Sequence, residues 1–327
     1  MPANVDSMFS VRQMPWHREG TVLPEYPGSW DEARILAGLD WEPVFKPVWD
    51  MVDSPEGYRY EPIPEFRQIV RSDTGKRLSI RPDSYALINH QEMGGIVEAV
   101  LGQPNVRWET AGSLNGGRAV WCLCVLDEPV QIPGDDSMTL PYLGVTNRHD
   151  GTGACTLRTT AVRIVCANTF GAAEAEGERT GTTFSFVHRG NWREHLEEAT
   201  EAVMKARQQF SSYVNLATGL TEIPVTAGQR ELFIQEFIRT PPEGLITNLV
   251  ARNIEESRNA LRGIFASQTI GQDASNAYWL VQGAGEYLDH VRRARTWETK
   301  LGRTIIRPEP LKQRAIKLAQ QVATIDA

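Results

Sequence analysis

Histidine and cysteine are the residue types that most often carry catalysis or bind metals, and this 327-residue chain has six and four of them. His149-Asp150 is the one pair that resembles an acid/base couple, but adjacent residues in a turn rarely face each other. Asn147 and Asn168 could bind a metal together with Asp150, although asparagines serve far more often in turns and caps. The chain lacks a nucleophile elbow, a metalloprotease motif, a phosphate loop and a dinucleotide-binding fingerprint. We therefore expect no catalytic residue, no metal ligand and no cofactor, with an unfamiliar enzyme left open.

The cysteines show no zinc-binding pattern. Cys122 and Cys124 are two residues apart and would share one face of a strand, whereas Cys155 and Cys166 lie further along the chain. Neither a C-x-x-C motif nor a Cys/His zinc spacing occurs. We expect reduced, half-buried thiols that are neither catalytic nor disulfide-bonded. A zinc site is the alternative, because two hairpins could bring the four thiols together.

Basic and aromatic residues gather near two predicted hairpin turns. Asn115-Gly116-Gly117 and His149-Asp150-Gly151 are typical turn sequences between β-forming runs. The residues nearby that we predict to bind nucleic acid are Lys76, Arg77, Trp108, Arg118, Tyr142, Arg148, Arg158 and Arg163. Proteins that bind single strands combine basic grooves for phosphates with aromatic rings on which bases stack. Trp108 and Tyr142 are the stacking candidates, and Arg163 has a salt bridge within a helix as its alternative role.

Net charge limits this interpretation. The formal charge of −7 argues against non-specific binding to nucleic acid, so a basic face would have to be local. Residues 67–82 and 289–317 are rich in Lys and Arg, whereas residues 174–201 are rich in Glu. Each of these runs is more often simply the solvated face of a helix. The Glu-rich segment also suits a partner protein or a DNA mimic.

The order of the elements indicates an α+β fold. Residues 1–66 form a Pro- and Trp-rich arm, residues 67–190 an α+β core and residues 191–327 a helical region. In the core, two hairpins build an antiparallel sheet on which a helix at 161–176 packs, after a helix at 89–101. Further helices are predicted at 29–38 and, in the C-terminal half, from 191 and at 227–238, 243–266, 274–297 and 308–324. Strands followed by helices are typical of this class.

No stretch approaches the roughly 20 apolar residues that cross a bilayer. The N-terminal residues also lack the apolar segment and cleavage site of a signal peptide. We therefore expect a cytoplasmic protein without membrane contact.

Four sequence blocks resemble the phage/plasmid-like proteins built on the domain of unknown function 932. They are WHR with GT at 16–21, ETAGSLNGGR at 109–118, the segments NRHDG and VRIVCANT at 147–151 and 162–169, and AYW with EYLDH at 277–290. Their order and spacing carry the likeness. The resemblance implies an origin in phages, prophages or plasmids and implies no catalytic residue.

A weaker, topological resemblance links the predicted hairpins and crossing helix to single-strand annealing proteins. It implies a protein that binds and anneals single-stranded DNA during recombination or replication, without nucleotide hydrolysis. Such proteins act as rings or filaments, and the many apolar positions in 243–297 also suggest self-association. Host or phage replication and recombination proteins are further expected partners. The alternative is a mobile-element protein that inhibits or mimics a host factor and has no annealing activity.

Overall fold

The computed structural model describes residues 5–12, 20–102, 106–163, 168–170, 183–267, 275–292 and 310–325. The chain forms two compact units. The first comprises Met1–Val125, Leu143–Arg158 and Gly181–Met204, and the second comprises Leu126–Tyr142, Thr159–Thr180 and Lys205–Ala327. None of the described helices is long and apolar enough to span a membrane.

The first unit contains two sheets. Its strands are β1 (Val5–Val11), β2 (Thr21–Leu23), β3 (Pro43–Ser54), β4 (Gly57–Arg71), β5 (Arg77–Pro82), β6 (Trp108–Leu114), β7 (Ala119–Val125) and β12 (Phe184–Phe186), with the end of β9 (Met138–Arg148) and the start of β10 (Cys155–Arg163). The helices α1 (Trp30–Leu36) and α2 (His90–Leu101) also belong to it. The larger sheet has the neighbour order β10-β9-β7-β6-β1-β2, with β12 beside β10. The smaller sheet has the order β3-β4-β5. Strand β9 runs from Met138 to Arg148 and β10 from Cys155 to Arg163.

Both predicted hairpins are confirmed. β6 pairs antiparallel with β7 across the turn at 115–117, and β9 neighbours β10 across the turn at 149–154. The N-terminal strand β1 adds to β6 in antiparallel register, with Phe9 opposite Ala111. This pairing joins segments about a hundred residues apart in sequence and makes β6 a central strand of the sheet.

Local capping explains where the two helices of this unit begin. Ser29 accepts a hydrogen bond from the Glu32 amide at the start of α1, as the sequence suggests. Asn89 and Glu92 form a capping box at the start of α2, and Gly102 ends it in the left-handed conformation. α1 packs on the larger sheet, because the ring of its Trp30 lies 4.7 Å from that of Trp108 of β6, centroid to centroid.

The β3–β4 hairpin extends as a two-stranded ribbon, residues 48–63, beyond the part of β4 that pairs with β5. Trp49, Met51, Tyr58 and Tyr60 share one face and are 54%, 54%, 69% and 68% exposed. The other face carries Asp50, Val52, Arg59 and Glu61. Prolines 47, 62 and 64 lie in these strands, where they remove main-chain donors. The ribbon therefore has one mainly aromatic face, which also carries Asp53 opposite Tyr58, and one face on which charged and aliphatic residues alternate.

The second unit is mainly helical. Its elements are β8 (Val130–Gln131), which pairs with the start of β9, β11 (Asn168–Phe170), which pairs with the end of β10, and the helices α3 (Leu196–Thr221, mostly in this unit), α4 (Ala227–Phe237), α5 (Asn248–Phe265), α6 (Ala277–Glu286, continued as a π-helix to Val291) and α7 (Pro310–Val322). A short 3-10 helix, Trp192–His195, precedes α3. The predicted helical C-terminal half is confirmed.

Many apolar side chains of α5 and α6 are covered within this unit, whereas Leu249 at the start of α5 is 58% exposed. Leu261, Phe265, Tyr278 and Leu280 are at most 2% exposed and belong to one core with residues of α4 and α7. Since these side chains are already buried, they give no reason to expect self-association. A buried ion pair joins the same region, with Lys312 Nζ 2.8 Å from an Asp289 carboxylate oxygen.

The prediction of a helix at 161–176 is wrong for residues 161–163 and 168–170, the part of this range that the structure describes. Residues 161–163 belong to β10 and pair antiparallel with β11, so that Ala161 lies opposite Phe170 and Arg163 opposite Asn168. Residues 164–167 and 171–176 lie outside the described residues. Apolar residues at helical spacing do not exclude an extended chain, and main-chain pairing decides the outcome here.

Two adjacent glycines of α2 give a sharp test of packing against Trp30. A Cβ at Gly94 would collide with the Trp30 indole, whereas a Cβ at Gly95 would meet open space. We expect Gly94→Ala to lower the free energy of unfolding by about 1–3 kcal/mol because the indole must move. Gly95→Ala should raise it by about 0.5–1 kcal/mol because alanine favours the helix.

Urea denaturation of the two purified variants and the parent chain measures both effects. The two variants serve as controls for each other, since they make the same chemical change in the same helix. A shift of equal sign in both would contradict the packing described.

Candidate nucleic-acid interface

Strand β5 connects the two predicted turns. It is an edge strand of the small sheet. Ser79 Oγ donates a 2.7 Å hydrogen bond to the carbonyl of His149, and Arg81 Nη2 donates to the carbonyl of Asp150. At the other end of β5, Lys76 lies over Gly116, where a Cβ would collide with its ammonium group. Since the His149 amide also donates to the Arg118 carbonyl at 2.9 Å, the two turns and β5 form one surface.

The β6–β7 turn requires its glycines. Asn115, Gly116 and Gly117 have φ values of 59°, 72° and 88°, which favour Gly and Asn. A Cβ at Gly117 would also collide with the ring of Trp41. The Asp6 carboxylate accepts 2.9 Å hydrogen bonds from the amides of Gly116 and Gly117, which fixes the turn to β1.

A first pocket opens at this turn, and we call it the hairpin pocket. Its lining residues are Asp6, Lys76, Asn115, Gly116 and Arg118. The side chains of Lys76 and Arg118 are exposed. The lining thus holds two cations and one carboxylate, and this formal surplus of positive charge favours an anion from solution.

A second pocket lies at the β9–β10 turn, and we call it the arginine pocket. Its lining residues are Arg81, Pro82, Ser84, Tyr85, Gly151, Thr152, Gly153, Ala154, Val187, His188 and Arg189. Arg81 lies over Gly151, where a Cβ would collide with its guanidinium. The strand β5 thus reaches from one pocket to the other.

Arg148 is held by a carboxylate in the same turn. Its Nη2 lies 2.8 Å from Asp150 Oδ2, and Thr152 also donates to Asp150. Burial alone would raise the pKa of Asp150, but the hydrogen bonds from Arg148 and Thr152 outweigh it and lower that pKa. Asp150 therefore remains charged and neutralises Arg148.

The indole of Trp41 lies beneath this surface and contacts several elements. Its ring is 4.4 Å from that of His90 and 6.3 Å from that of His149, and the Arg71 guanidinium lies 4.0 Å above it. His90 Nδ1 donates to the Trp41 carbonyl at 2.9 Å. Trp41 is 2% exposed and thus forms the floor under both turns.

Three histidines are buried close to this floor. His90 and His149 are 0% exposed, with rings 5.2 Å apart, and His188 is 8% exposed. Both ring nitrogens of His149 lack a hydrogen-bond partner among the described residues. Burial lowers the pKa of His90 to about 4 and that of His149 well below its usual value, and it also lowers the pKa of His188. These histidines are neutral at pH 7. Within the described part of the chain, no group of three or more His, Cys, Asp or Glu side chains is arranged to hold a metal.

The structure brings some of the predicted basic residues together and leaves the others apart. Lys76 and Arg118 lie together in the hairpin pocket, and Arg77 is exposed at the start of β5. Arg148 is paired as described, and Arg158 is half-buried on β10. For Arg163, the structure describes the main chain in β10 and not the side chain.

The two aromatic candidates cannot stack on bases in this structure. Trp108 is 0% exposed and packs against Trp30, and Tyr142 is 6% exposed. We therefore remove both from the proposed contacts. Strand periodicity shows which residues share a face but not which face the rest of the chain covers.

Sequence reasoning missed Asp6, Arg81, Tyr85 and Arg189 as residues of this surface. The position of Arg81 in the basic run at 67–82, directly before a proline, is the feature of the sequence that could have identified it. Asp6 and Arg189 are distant in sequence from both turns, and nothing local indicates their position.

The described cysteines are core residues. Cys122, Cys124 and Cys155 are free thiols with 0% exposure. Burial raises the pKa of Cys124 and of Cys155 to about 12 and that of Cys122 well above its usual value. They are therefore protonated and poor nucleophiles at neutral pH. Cys166 lies outside the described residues.

Comparison with known proteins gives one family. The family described as Domain of unknown function (DUF932) matches residues 77–308, a span that includes β5 and both turns. No curated protein and no solved structure matches the chain.

The buried histidines predict a loss of stability in mild acid. The folded-state pKa of His90 is about 4, below the unfolded value of about 6.5, so the unfolded state binds more protons between these values. The contribution of His90 to stability is therefore fully present above pH 6.5 and is lost as the pH falls toward 4. We expect His90→Gln to reduce the slope of unfolding free energy against pH in this window, by up to about 1 kcal/mol per pH unit.

Urea denaturation between pH 4 and pH 7.5 measures this slope. His195→Gln, at a histidine whose side chain is 47% exposed, controls for the loss of one imidazole. Parallel profiles for the parent chain and His90→Gln would show that His90 is not the titrating group.

Proposed function

We propose that this chain, which belongs to the DUF932 family, binds single-stranded DNA on the surface formed by β5 and the two turns. We further propose that it promotes annealing in recombination or replication of a phage or plasmid, without nucleotide hydrolysis. The supporting observation is the hairpin pocket, in which Lys76 and Arg118 come together from distant positions in the sequence. Each can approach a phosphate oxygen from the exposed side of the pocket.

The length of β5 suits a strand rather than a single anion. Five residue steps separate Lys76 from Arg81, which is about 16 Å in an extended strand. Exposed Arg77 lies between them. A single strand following β5 would therefore meet a series of cations along its phosphates.

The lining of the hairpin pocket suits a protein that leaves the bases of a bound DNA strand free to pair. Annealing requires that the bases of the bound strand stay free to pair with a second strand. With Trp108 and Tyr142 buried, the hairpin pocket has charged and polar groups but no aromatic ring in its lining. Contacts through phosphates would hold the strand and leave most bases accessible.

Binding should depend on salt and on the two cations of the hairpin pocket. Each phosphate contact on a single strand contributes about 0.7 to the slope of log affinity against log salt, so Lys76→Ala with Arg118→Ala should reduce it by about 1.4. Fluorescence anisotropy with a labelled oligo-dT at several salt concentrations measures the slope. The melting temperature should stay unchanged because both side chains are exposed.

A matched double variant tests whether position matters more than total charge. Arg239→Ala with Arg252→Ala removes two cations of the second unit, whose side chains are 67% and 70% exposed. It should leave the salt slope unchanged. If the parent chain binds no oligo-dT at low salt, the proposal fails and the host-factor inhibitor becomes the better explanation.

Self-association is the second part of the proposal, and the ribbon supports it. Its exposed apolar residues lie on one face together with Asp53, and the charges of Asp50, Arg59 and Glu61 lie on the other. Two copies can therefore bring their apolar faces together with those charges directed outward. Three aromatic rings, each with about 150–250 Å² of surface, give a patch of a size often found at functional surfaces.

Light scattering after size exclusion tests this contact. We expect the parent chain to exceed the monomer mass and Trp49→Ser with Tyr60→Ser to lower the mass at equal concentration. Leu245→Ser with Leu249→Ser, at side chains 66% and 58% exposed in the second unit, is the control. A monomeric parent chain, with and without oligo-dT, would exclude self-association.

A further inference from the structure

The arginine pocket has the size and lining of a small-molecule site. It encloses about 490 Å³, within the range of about 300–1,000 Å³ that ligand pockets occupy. Three separate segments form it: the end of β5 with the residues that follow, the β9–β10 turn, and the chain after β12. A phosphate ion alone would leave most of this volume unfilled.

The charges of the lining favour an anion. Arg81 and Arg189 supply two guanidinium groups, and the lining contains no Asp or Glu. Two carboxylates lie next to lining residues in the sequence: Asp83 forms an ion pair with Arg67, and Asp150 is bound by Arg148 and Thr152. Arg81 donates to the Asp150 carbonyl through Nη2, and its buried Nε has no hydrogen-bond partner among the described residues. Guanidinium groups bind phosphate oxygens with charge-assisted hydrogen bonds.

An aromatic wall adds a second kind of recognition. The rings of Tyr85 and His188 stack with centroids 4.7 Å apart and an angle of 16° between their planes. His188 Nδ1 lies 3.0 Å from the Ala86 carbonyl and must be the donor, which makes Nε2 an acceptor. Nε2 has no partner among the described residues although His188 is 8% exposed. An unsatisfied buried acceptor is costly, and a ligand with a donor group would relieve that cost.

We propose that the arginine pocket binds one nucleotide unit. Its phosphate would lie against Arg81 and Arg189, its base against the Tyr85 ring, and a hydroxyl or N–H group would donate to His188 Nε2. The unit is either a free mononucleotide or one nucleotide of a bound strand. If the unit belongs to a bound strand, the inference rests on the function proposed above. If it is a free mononucleotide, the inference is independent of that function.

Calorimetry on the full chain tests the site with three probes: thymidine monophosphate, thymidine and inorganic phosphate. We expect the monophosphate to bind more tightly than either of the other two, since it alone satisfies both the cations and the aromatic wall. Arg189→Ala should weaken monophosphate binding by about tenfold, as expected for the loss of one charge-assisted contact. Arg189 is exposed, so the variant should fold. Arg193→Ala, at a side chain 60% exposed and outside the pocket, should bind like the parent chain.

Competition with labelled oligo-dT separates the two sources of the nucleotide. Displacement of the oligonucleotide by the monophosphate would assign the pocket to a strand, and monophosphate binding without displacement would assign it to a free nucleotide. Either outcome supports the inference. Equal affinity for phosphate and monophosphate, or no effect of Arg189→Ala, would overturn it even if oligo-dT binds. Monophosphate binding by a chain that does not bind oligo-dT would uphold it while the proposed function fails.

Discussion

The surface formed by β5 and the two turns depends on the burial of Trp41. Its indole fills the space that Gly117 leaves open, contacts the ring of His90 at the start of α2, and carries the Arg71 guanidinium of β4 on its other side. One side chain thus connects a hairpin turn, a helix and the small sheet. The lack of room for a side chain at 117 and the packing of the His90 ring both follow from the space that this indole occupies.

Local sequence signals located most elements, and long-range contacts decided the rest. Turn residues at 115–117 and 149–151 and the capping residues Ser29 and Asn89 act within a few positions, so they could be identified from the sequence. The end of β10 could not, because its pairing with β11 overrides an apolar spacing that also suits a helix. Trp108 was predicted to stack on bases, and only the position of Trp30, distant in sequence, shows that its ring is covered.

The candidate site shows the same division. Lys76 could be identified from the basic run at 67–82, and Arg118 from the turn at 115–117 that it follows. Their position in one pocket could not, because it depends on β5 lying beside both turns. Asp6 illustrates the opposite case. Its carboxylate lies beside Lys76 and Arg118 in the pocket, and it accepts hydrogen bonds from two turn amides, which fixes the turn that precedes Arg118. Net charge is therefore a poor guide to the local field of this unit.

The pairing of β1 with β6 has a consequence for how the chain is made. β1 can pair early with β2, since Phe9 lies opposite Thr21, but its partner on the other side, β6, leaves the ribosome only about a hundred residues later. At about 5–20 residues per second, this delay lasts on the order of 5–20 s. During that time Met8, Phe9 and Val11, which are at most 6% exposed in the folded chain, remain uncovered. Strand β1 thus waits for the partner on its second edge, and the nascent chain would gain from a chaperone that shields these three side chains.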